Sequence, residues 1–296
     1  MVIERLEQPV VAGSEKPRMT LAARMKQYEA ATEINLEPSQ PVILRLDGHA
    51  FSKFTASFSK PFDERLHKAM VKTCADLLDS YPAATLAYTQ SDEITLVFLN
   101  GVESFNDRAM KIVTLAAGFC SVHFYSHLIT ALAESPDPPI KKDIGSLPLP
   151  HFDGRIFNVP TVEECLNNVL WRCRGDAVRN SVSAFARSFF STRELHGKNQ
   201  EEMIEMVRRE KGVVYREAVP RWALEGSIVK KTLVELEAVN KKTGERAIAT
   251  RTRTMCEDRG ITEFSDASLA LVKEKHWPWL RKLSEFGHVL TVRKTY

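Results

Sequence analysis

The sequence predicts an α+β fold of βαββαβ, ferredoxin-like order, enlarged by added helices and a C-terminal extension. Three observations carry this. Val42, Ile43, Leu44 and Leu46 form a short, β-branched apolar run stopped by Asp47-Gly48, the pattern of a buried strand. Residues 63–80 place Leu66, Ala69, Met70, Cys74, Leu77 and Leu78 at helical spacing, with Asp63 placed to cap the first turn. Residues 85–89 and 94–99 then read as two strands joined by the polar turn Gln90–Glu93.

The other elements follow in chain order. Residues 1–18, with Pro9, Gly13 and Pro17, read as a loose arm. Thr20 can cap a helix to about residue 35 that carries Leu21, Met25 and Tyr28 on one face, and Pro38 and Pro41 end it. Ser104 can cap a long helix to about residue 132, with Phe105, Ile112, Ala116, Cys120 and Phe124 among its apolar positions. The proline-rich residues 134–154, which include Lys141 and Lys142, predict a surface loop, and residues 155–159 the fourth strand. Thr161 and Glu164 read as a capping box for a helix to about residue 172. Helices over 176–190 and 201–210 follow, separated by a polar turn at 195–199. Residues 215–239 alternate around Gly226 and predict a hairpin. Residues 240–254, with Lys241, Lys242, Arg246, Arg251 and Arg253, read as a solvated tail or as a segment that steers polyanions. Residues 258–279 are expected to be helical in part, with Trp277 and Trp279 packed on the body. The expected division is an arm 1–18, a catalytic domain 19–160, a helical and hairpin subdomain 161–239 packed on it, and a basic extension 240–296.

A hydrophobic content of 44% and a charged content of 27% are ordinary for a globular protein. The net charge of only +3 means that any nucleic-acid binding must come from local patches. With no apolar run near ~20 residues and no basic-then-apolar start, the expectation is a soluble, cytoplasmic protein without a membrane partner, an organelle remaining open. Five cysteines without a C-x-x-C pair predict reduced core thiols. His123 and His127 stand one turn apart, a spacing able to bind zinc, but no Glu follows His123 to complete H-E-x-x-H, and the pair is expected to be metal-free. Gly197-Lys198 lacks the upstream glycine of a P-loop.

Topology brings the acids together. A strand–helix–strand unit crosses over right-handed and leaves its strands parallel. If the second strand of the hairpin returns between them, Asp47 and Asp92 meet at one sheet edge. Two such carboxylates repel unless protonated, hydrogen-bonded or shared with a cation, and with Glu93 they supply hard oxygen ligands suited to Mg²⁺. Each motif alone reads better as a plain turn; their convergence favours a site. Arg108 and Lys111 lie early in the long helix, away from its apolar stripe, which leaves a solvated face and a functional role equally open.

RLDGHAFSKF (45–54), SKPFDERL (59–66), QSDEITLVF (90–98) and HFDGRIFNVP (151–160) resemble the tRNA-histidine guanylyltransferase family, and residues 218–231 resemble its closing strand region more weakly. The resemblance spans about residues 19–231. It implies a polymerase palm used in reverse, adding nucleotides to the 5′ end of tRNA. In this family ATP activates a 5′-monophosphate, and the 3′-hydroxyl of GTP or another NTP then displaces AMP, with two Mg²⁺ ions. It further implies that Asp47, Asp92 and the Gly48 carbonyl bind metal, with Glu93 a supporting member of the catalytic acids. His49, Ala50, Phe51, Ser52, Lys53 and Phe54 would wrap a triphosphate through backbone amides. Lys60 and Ser91 would touch the activating nucleotide, and Arg108 and Lys111 a second triphosphate and the RNA end. Arg45, Arg179 and Asn180 are taken as RNA contacts, Asp153 and Arg155 as structural support. Tetramers are common in the family. The chain departs from it where eukaryotic members carry HINNLYN: here residues 177–183 read AVRNSVS, the histidine position is Ala177, and only Asn180 persists. Phe62 replaces a residue that is often polar. These departures point to the family's "like" proteins and templated 5′-end repair. The alternatives are a dedicated histidine-tRNA guanylyltransferase and, in another class, a palm-fold cyclase or nucleotide-binding regulator.

Overall fold

The computed structural model describes residues 19–135, 139–141, 144–239, 244, 246–277 and 289–290. The expected arm 1–18, Lys142, Lys241, Lys242 and Trp279 lie outside them. The chain divides into two compact units, Met1–Ile34 and Asn35–Tyr296.

In the first unit, α1 spans Leu21–Ala30, and the Thr20 hydroxyl accepts from the Ala23 amide as the predicted cap. It ends about five residues before the expected stop.

The second unit is built on one antiparallel sheet. Its strands are β1 (Val42–Gly48), β2 (Ala84–Gln90), β3 (Glu93–Phe98), β4 (Phe152–Asn158), β5 (Ser227–Val239), β6 (Arg246–Glu257) and β7 (Val289–Leu290). Their spatial order is β4-β1-β3-β2-β5-β6-β7. The first four strands have the expected ferredoxin-like arrangement, with β3 returning between β1 and β2. The crossover helices are α3 (Glu64–Ser80), which follows the short α2 (Phe51–Phe54), and α4 (Ala109–Glu134).

Alternation along the strands divides the core into two layers. Leu44, Leu46, Ile94, Leu96 and Phe98 point toward α3 and α4 and pack with Cys74, Leu77, Ile112, Cys120 and Phe124. On the other face, Ile43, Leu86, Tyr88 and Val97 pack with Cys165 and Val169 of α5 (Val162–Trp171) and with Ile228, Met255 and Val272. Helix α4 is long and apolar enough to cross a membrane by length and composition alone, which corrects the expectation that no such stretch exists. Ile112, Ala116, Cys120, Phe124 and Leu128 are buried, as in a core helix. All five cysteines are unpaired thiols, four of them buried.

Three element assignments need correction. Ser104 does not start α4: Glu103, Phe105, Asn106 and Asp107 all have φ near +55°, and Arg108 is the extended residue at the cap of a helix that begins at Ala109. Phe105 is therefore exposed and not part of the buried stripe. The hairpin predicted around Gly226 is absent. Residues Tyr215–Ala218 and Arg221–Glu225 are short helices, and β5 pairs instead with β6, through which the basic run passes. Gly226 has φ +80°, and a Cβ there would lie 2.3 Å from the Tyr88 hydroxyl, so it stops a helix at a close approach. Finally, Thr161 accepts from the Glu164 amide at 3.3 Å, but the Glu164 carboxylate accepts from Asn167, so only half of the capping box forms.

After α5 the helix does not break. One π-helical turn, Arg172–Asp176, leads directly into α6 (Ala177–Arg187). Two further helices, α7 (Thr192–Leu195) and α8 (Gln200–Lys211), each start with a full capping box. The third cluster of buried residues joins α6 and α8 through Phe185, Leu195, Val207 and Tyr215.

Candidate active site

Strand register places the acids. Asp47, at the C-terminal end of β1, lies opposite Glu93 of β3 on one side and Asp153 of β4 on the other. The Gly48 amide donates to the Asp92 carbonyl at 3.0 Å, which joins the end of β1 to the two-residue turn Ser91-Asp92. Gly48 has no substitute here, because a Cβ would fall 2.3 Å from the Phe51 ring. The predicted convergence of Asp47, Asp92 and Glu93 is therefore present at one edge of the sheet.

The site is electrostatically costly as it stands. Burial raises the pKa of Asp47, and Asp153 and Asp176 add to this while Arg45 and Arg155 oppose it. Burial likewise raises Asp92, with Asp47 adding and the Ser91 hydroxyl opposing. Burial pushes Glu93 up to about 8, against the pull of Arg45 and with Asp47, Asp176 and Asp92 adding. Glu93 Oε1 is buried and has no hydrogen-bond partner among the described residues. A group of mutually repelling carboxylates with an unpartnered buried oxygen is a donor set that fits a hard divalent cation.

Glu93 is held from behind by residues that pattern reasoning missed. Arg172 Nη1 lies 3.3 Å from Glu93 Oε2 and also pairs with Asp176, while its guanidinium stacks 4.1 Å over the Trp171 ring. Arg179 reaches the other Asp176 oxygen at 2.5 Å. The π-helical turn sets Arg172 and Asp176 on one side, a use typical of such insertions at functional sites. The only sequence signal was their i, i+4 spacing. Arg45, expected at RNA, faces Glu93, with Nε 3.6 Å from Oε2.

Beside Asp92 opens a cavity of about 530 Å³. It brings together Phe51, Ser52, Lys60, Ser91 and Asn180 from the expected set, and adds Arg187 and Trp222, which were not expected. His49, Ala50, Lys53, Phe54, Arg108 and Lys111 do not line it. Lys60 is positioned by Asp63, whose carboxylate accepts from the Ser59 amide at 3.1 Å and from the Arg65 amide at 3.0 Å. Burial lowers the Lys60 pKa, Lys141 adding and Asp63 opposing. Opposite it, the Trp222 ring stacks on His67 at 4.3 Å, and His67 Nε2 lies 2.9 Å from Asp258 Oδ1.

Within the segment 49–54 the amides divide. Those of His49, Lys53 and Phe54 donate to the carbonyls of His151, Ala50 and Ala50. The amides of Ala50, Phe51 and Ser52 find no acceptor among the described residues. The rings of Phe51 and Phe54 belong to an aromatic cluster with Phe124, so the segment is anchored by its side chains and presents backbone. Lys111 is exposed in the first turn of α4, with its ammonium 5.2 Å from the Phe105 ring, and Arg108 is exposed beside it.

Comparison with known proteins bears on this geometry. The family model described as tRNAHis guanylyltransferase matches residues 22–160. An uncharacterised protein of Acanthamoeba polyphaga mimivirus is 32% identical over 231 residues, covering 73% of this chain and 78% of that one. A tRNA(His) guanylyltransferase of Neurospora crassa is 27% identical over 232 residues, covering 75% and 76%. Among solved structures, a bacterial tRNA(His) guanylyltransferase-like protein in complex with ATP superimposes with a TM-score of 0.62 at 29% identity, covering 78% of this chain and 91% of that one.

Proposed function

The chain belongs to the tRNA(His) guanylyltransferase family and is a nucleotidyltransferase, and from this premise we propose that it adds nucleotides to the 5′ end of tRNA as directed by the opposing strand. The observation that carries the reading is the register of β1 with β3 and β4, which sets Asp47 and Glu93 side by side and ties Gly48 to Asp92 at the mouth of a nucleotide-sized cavity. Asp47, Asp92 and the Gly48 carbonyl would hold Mg²⁺, two ions by the family pattern, which would neutralise charge on the attacking and leaving oxygens.

The chain's own groups supply the rest. Lys60 and the hydroxyl of Ser91 hold the phosphates of ATP in the cavity, and the amides of Ala50, Phe51 and Ser52 cradle a triphosphate. The tRNA 5′-monophosphate attacks the α-phosphorus of ATP and pyrophosphate leaves. The 3′-hydroxyl of the incoming NTP then attacks the activated 5′-phosphate and AMP leaves. Arg108 and Lys111 contact the second triphosphate and the RNA end. Arg108→Ala and Lys111→Ala are each expected to weaken triphosphate and RNA use by about 1.5–3 kcal/mol, roughly 10- to 200-fold, with little change in melting temperature. Steady-state kinetics with each substrate varied, alongside melting curves, checks this; normal kinetics would return both residues to the solvated surface.

Templated addition is supported by Ala177. This residue stands where the family's histidine falls and is only 1% exposed. A buried methyl neither stacks on a base nor donates to one. Phosphate contacts position the tRNA without reading it, which leaves pairing between the incoming nucleotide and its opposite as the selective element. A 5′-truncated tRNA with the opposing base set to each of the four identities is expected to receive the complementary nucleotide, read by sequencing. Guanosine addition whatever the opposing base, and only to histidine tRNA, would establish a dedicated guanylyltransferase instead. A soluble cyclic product from NTP alone would establish a cyclase.

A further inference from the structure

In the α3–α4 helical layer, Asp76 of α3 meets His123 and His127 of α4. Asp76 Oδ2 lies 2.6 Å from His123 Nδ1 and 2.6 Å from His127 Nε2. All three donor atoms fall within 4.8 Å of one another. The Asp76 side chain is 10% exposed and each histidine 25%, so the cluster is part-buried yet open to solvent on one side. Phe119 stacks on His123 with ring centroids 3.8 Å apart and fixes that imidazole. Hydrogen bonds from both histidines hold Asp76 ionised, its pKa lowered although burial acts to raise it. The sequence offered only the helical pair; the third donor comes from a residue 47 positions upstream, across the helix–helix contact.

We propose that Asp76, His123 and His127 form a site for a borderline divalent cation such as Zn²⁺ or Co²⁺, separate from the catalytic acids. Two imidazole nitrogens and one carboxylate oxygen are the protein donor set of many open zinc sites, with a remaining position for water. Imidazole favours such ions, whereas Mg²⁺ prefers the oxygen donors of Asp47, Gly48 and Asp92, so donor chemistry sorts the two kinds of metal between the two places. The present 2.6 Å contacts are hydrogen bonds between donors that a bound ion would spread apart, each bond to it being about 2.0–2.2 Å long. Each imidazole then presents the lone pair of the nitrogen that now faces Asp76 and carries its proton on the other ring nitrogen. The bound ion bridges α3 to α4, and its role is structural.

The test uses the full chain without a histidine tag, stripped with a chelator and held in excess Mg²⁺. Titration with Co²⁺ is expected to give one equivalent per chain with visible absorption of a low-coordinate imidazole complex. Zn²⁺ should displace it and raise the melting temperature. The His123→Ala/His127→Ala chain should lose both responses, Asp76→Asn should bind more weakly, and Asp92→Ala should retain the site. Asp76→Asn keeps the side-chain shape and decides the matter if the double variant does not fold. Absence of a Co²⁺ signal in the unaltered chain, or an unchanged signal in Asp76→Asn, would reduce the three side chains to a hydrogen-bonded bridge. Loss of the site in Asp92→Ala would assign the binding to the catalytic acids.

Discussion

Asp47→Ala and Asp92→Ala are each expected to abolish nucleotide addition while the chain melts at an unchanged or slightly higher temperature. Both carboxylates have raised pKa values because burial and neighbouring acids oppose their charge. Removing either one relieves repulsion with the other and with Glu93, so stability in the absence of metal does not fall. Activity behaves differently. The cation that these oxygens would hold supplies several kcal/mol to the transition state, and at 1.36 kcal/mol per factor of ten the loss is on the order of a thousand-fold or more. Single-turnover extension of a 5′-truncated tRNA, run beside thermal melts without Mg²⁺, separates the two effects. Near-normal turnover of either variant at saturating Mg²⁺ would remove the carboxylates from the metal site.

Arg172→Ala is expected to show the opposite balance, a large loss of stability together with a loss of activity. Arg172 is 6% exposed and lies between Glu93 and Asp176. Removing one partner of a buried ionic group costs about 3–5 kcal/mol, and here, among the described residues, only the exposed Arg179 beside Asp176 and Arg45 beside Glu93 are left to offset the remaining buried charge. For a chain of this size that corresponds to a fall in melting temperature on the order of ten degrees. Asp176→Ala in the same chain should restore part of it, since Asp176 then no longer repels Glu93, and a double-mutant cycle by denaturant unfolding measures the recovery. If the double variant is as unstable as the summed single effects, Arg172 and Asp176 are not coupled.

The contrast between these variants reflects what could be read in advance. Asp47, Asp92 and Glu93 sit at the ends of short apolar runs, and the right-handed crossover rule alone brings those ends together. The cap at Asp63 and the helix after it were equally legible, because a capping carboxylate and its amides are neighbours in sequence. Arg172 was not legible as a partner of Glu93, since their contact depends on a π-helical turn that leaves no periodic signature. The start of α4 escaped for a related reason: Phe105, Asn106 and Asp107 carry no glycine to announce their left-handed backbone. The pairing of β5 with β2 and β6 belongs to tertiary structure, and alternation in residues 215–239 was satisfied just as well by two short helices followed by a strand.

The place of β2 in the sheet has a consequence for synthesis on the ribosome. β2 is buried along its whole length, lying between β3, which follows it at once, and β5, which begins at Ser227. Between the emergence of Gln90 and that of Val229 the nascent chain presents β2 as an open edge, for on the order of ten seconds at ~5–20 residues per second. An unpaired apolar edge of this kind invites pairing with another chain. Trp222 and Arg187, on the far wall of the cavity, also lie late in the sequence. The acids at the ends of β1 and β3 are thus brought together well before the cavity beside them is complete, and the nascent chain passes through a stage in which β2 presents an open edge.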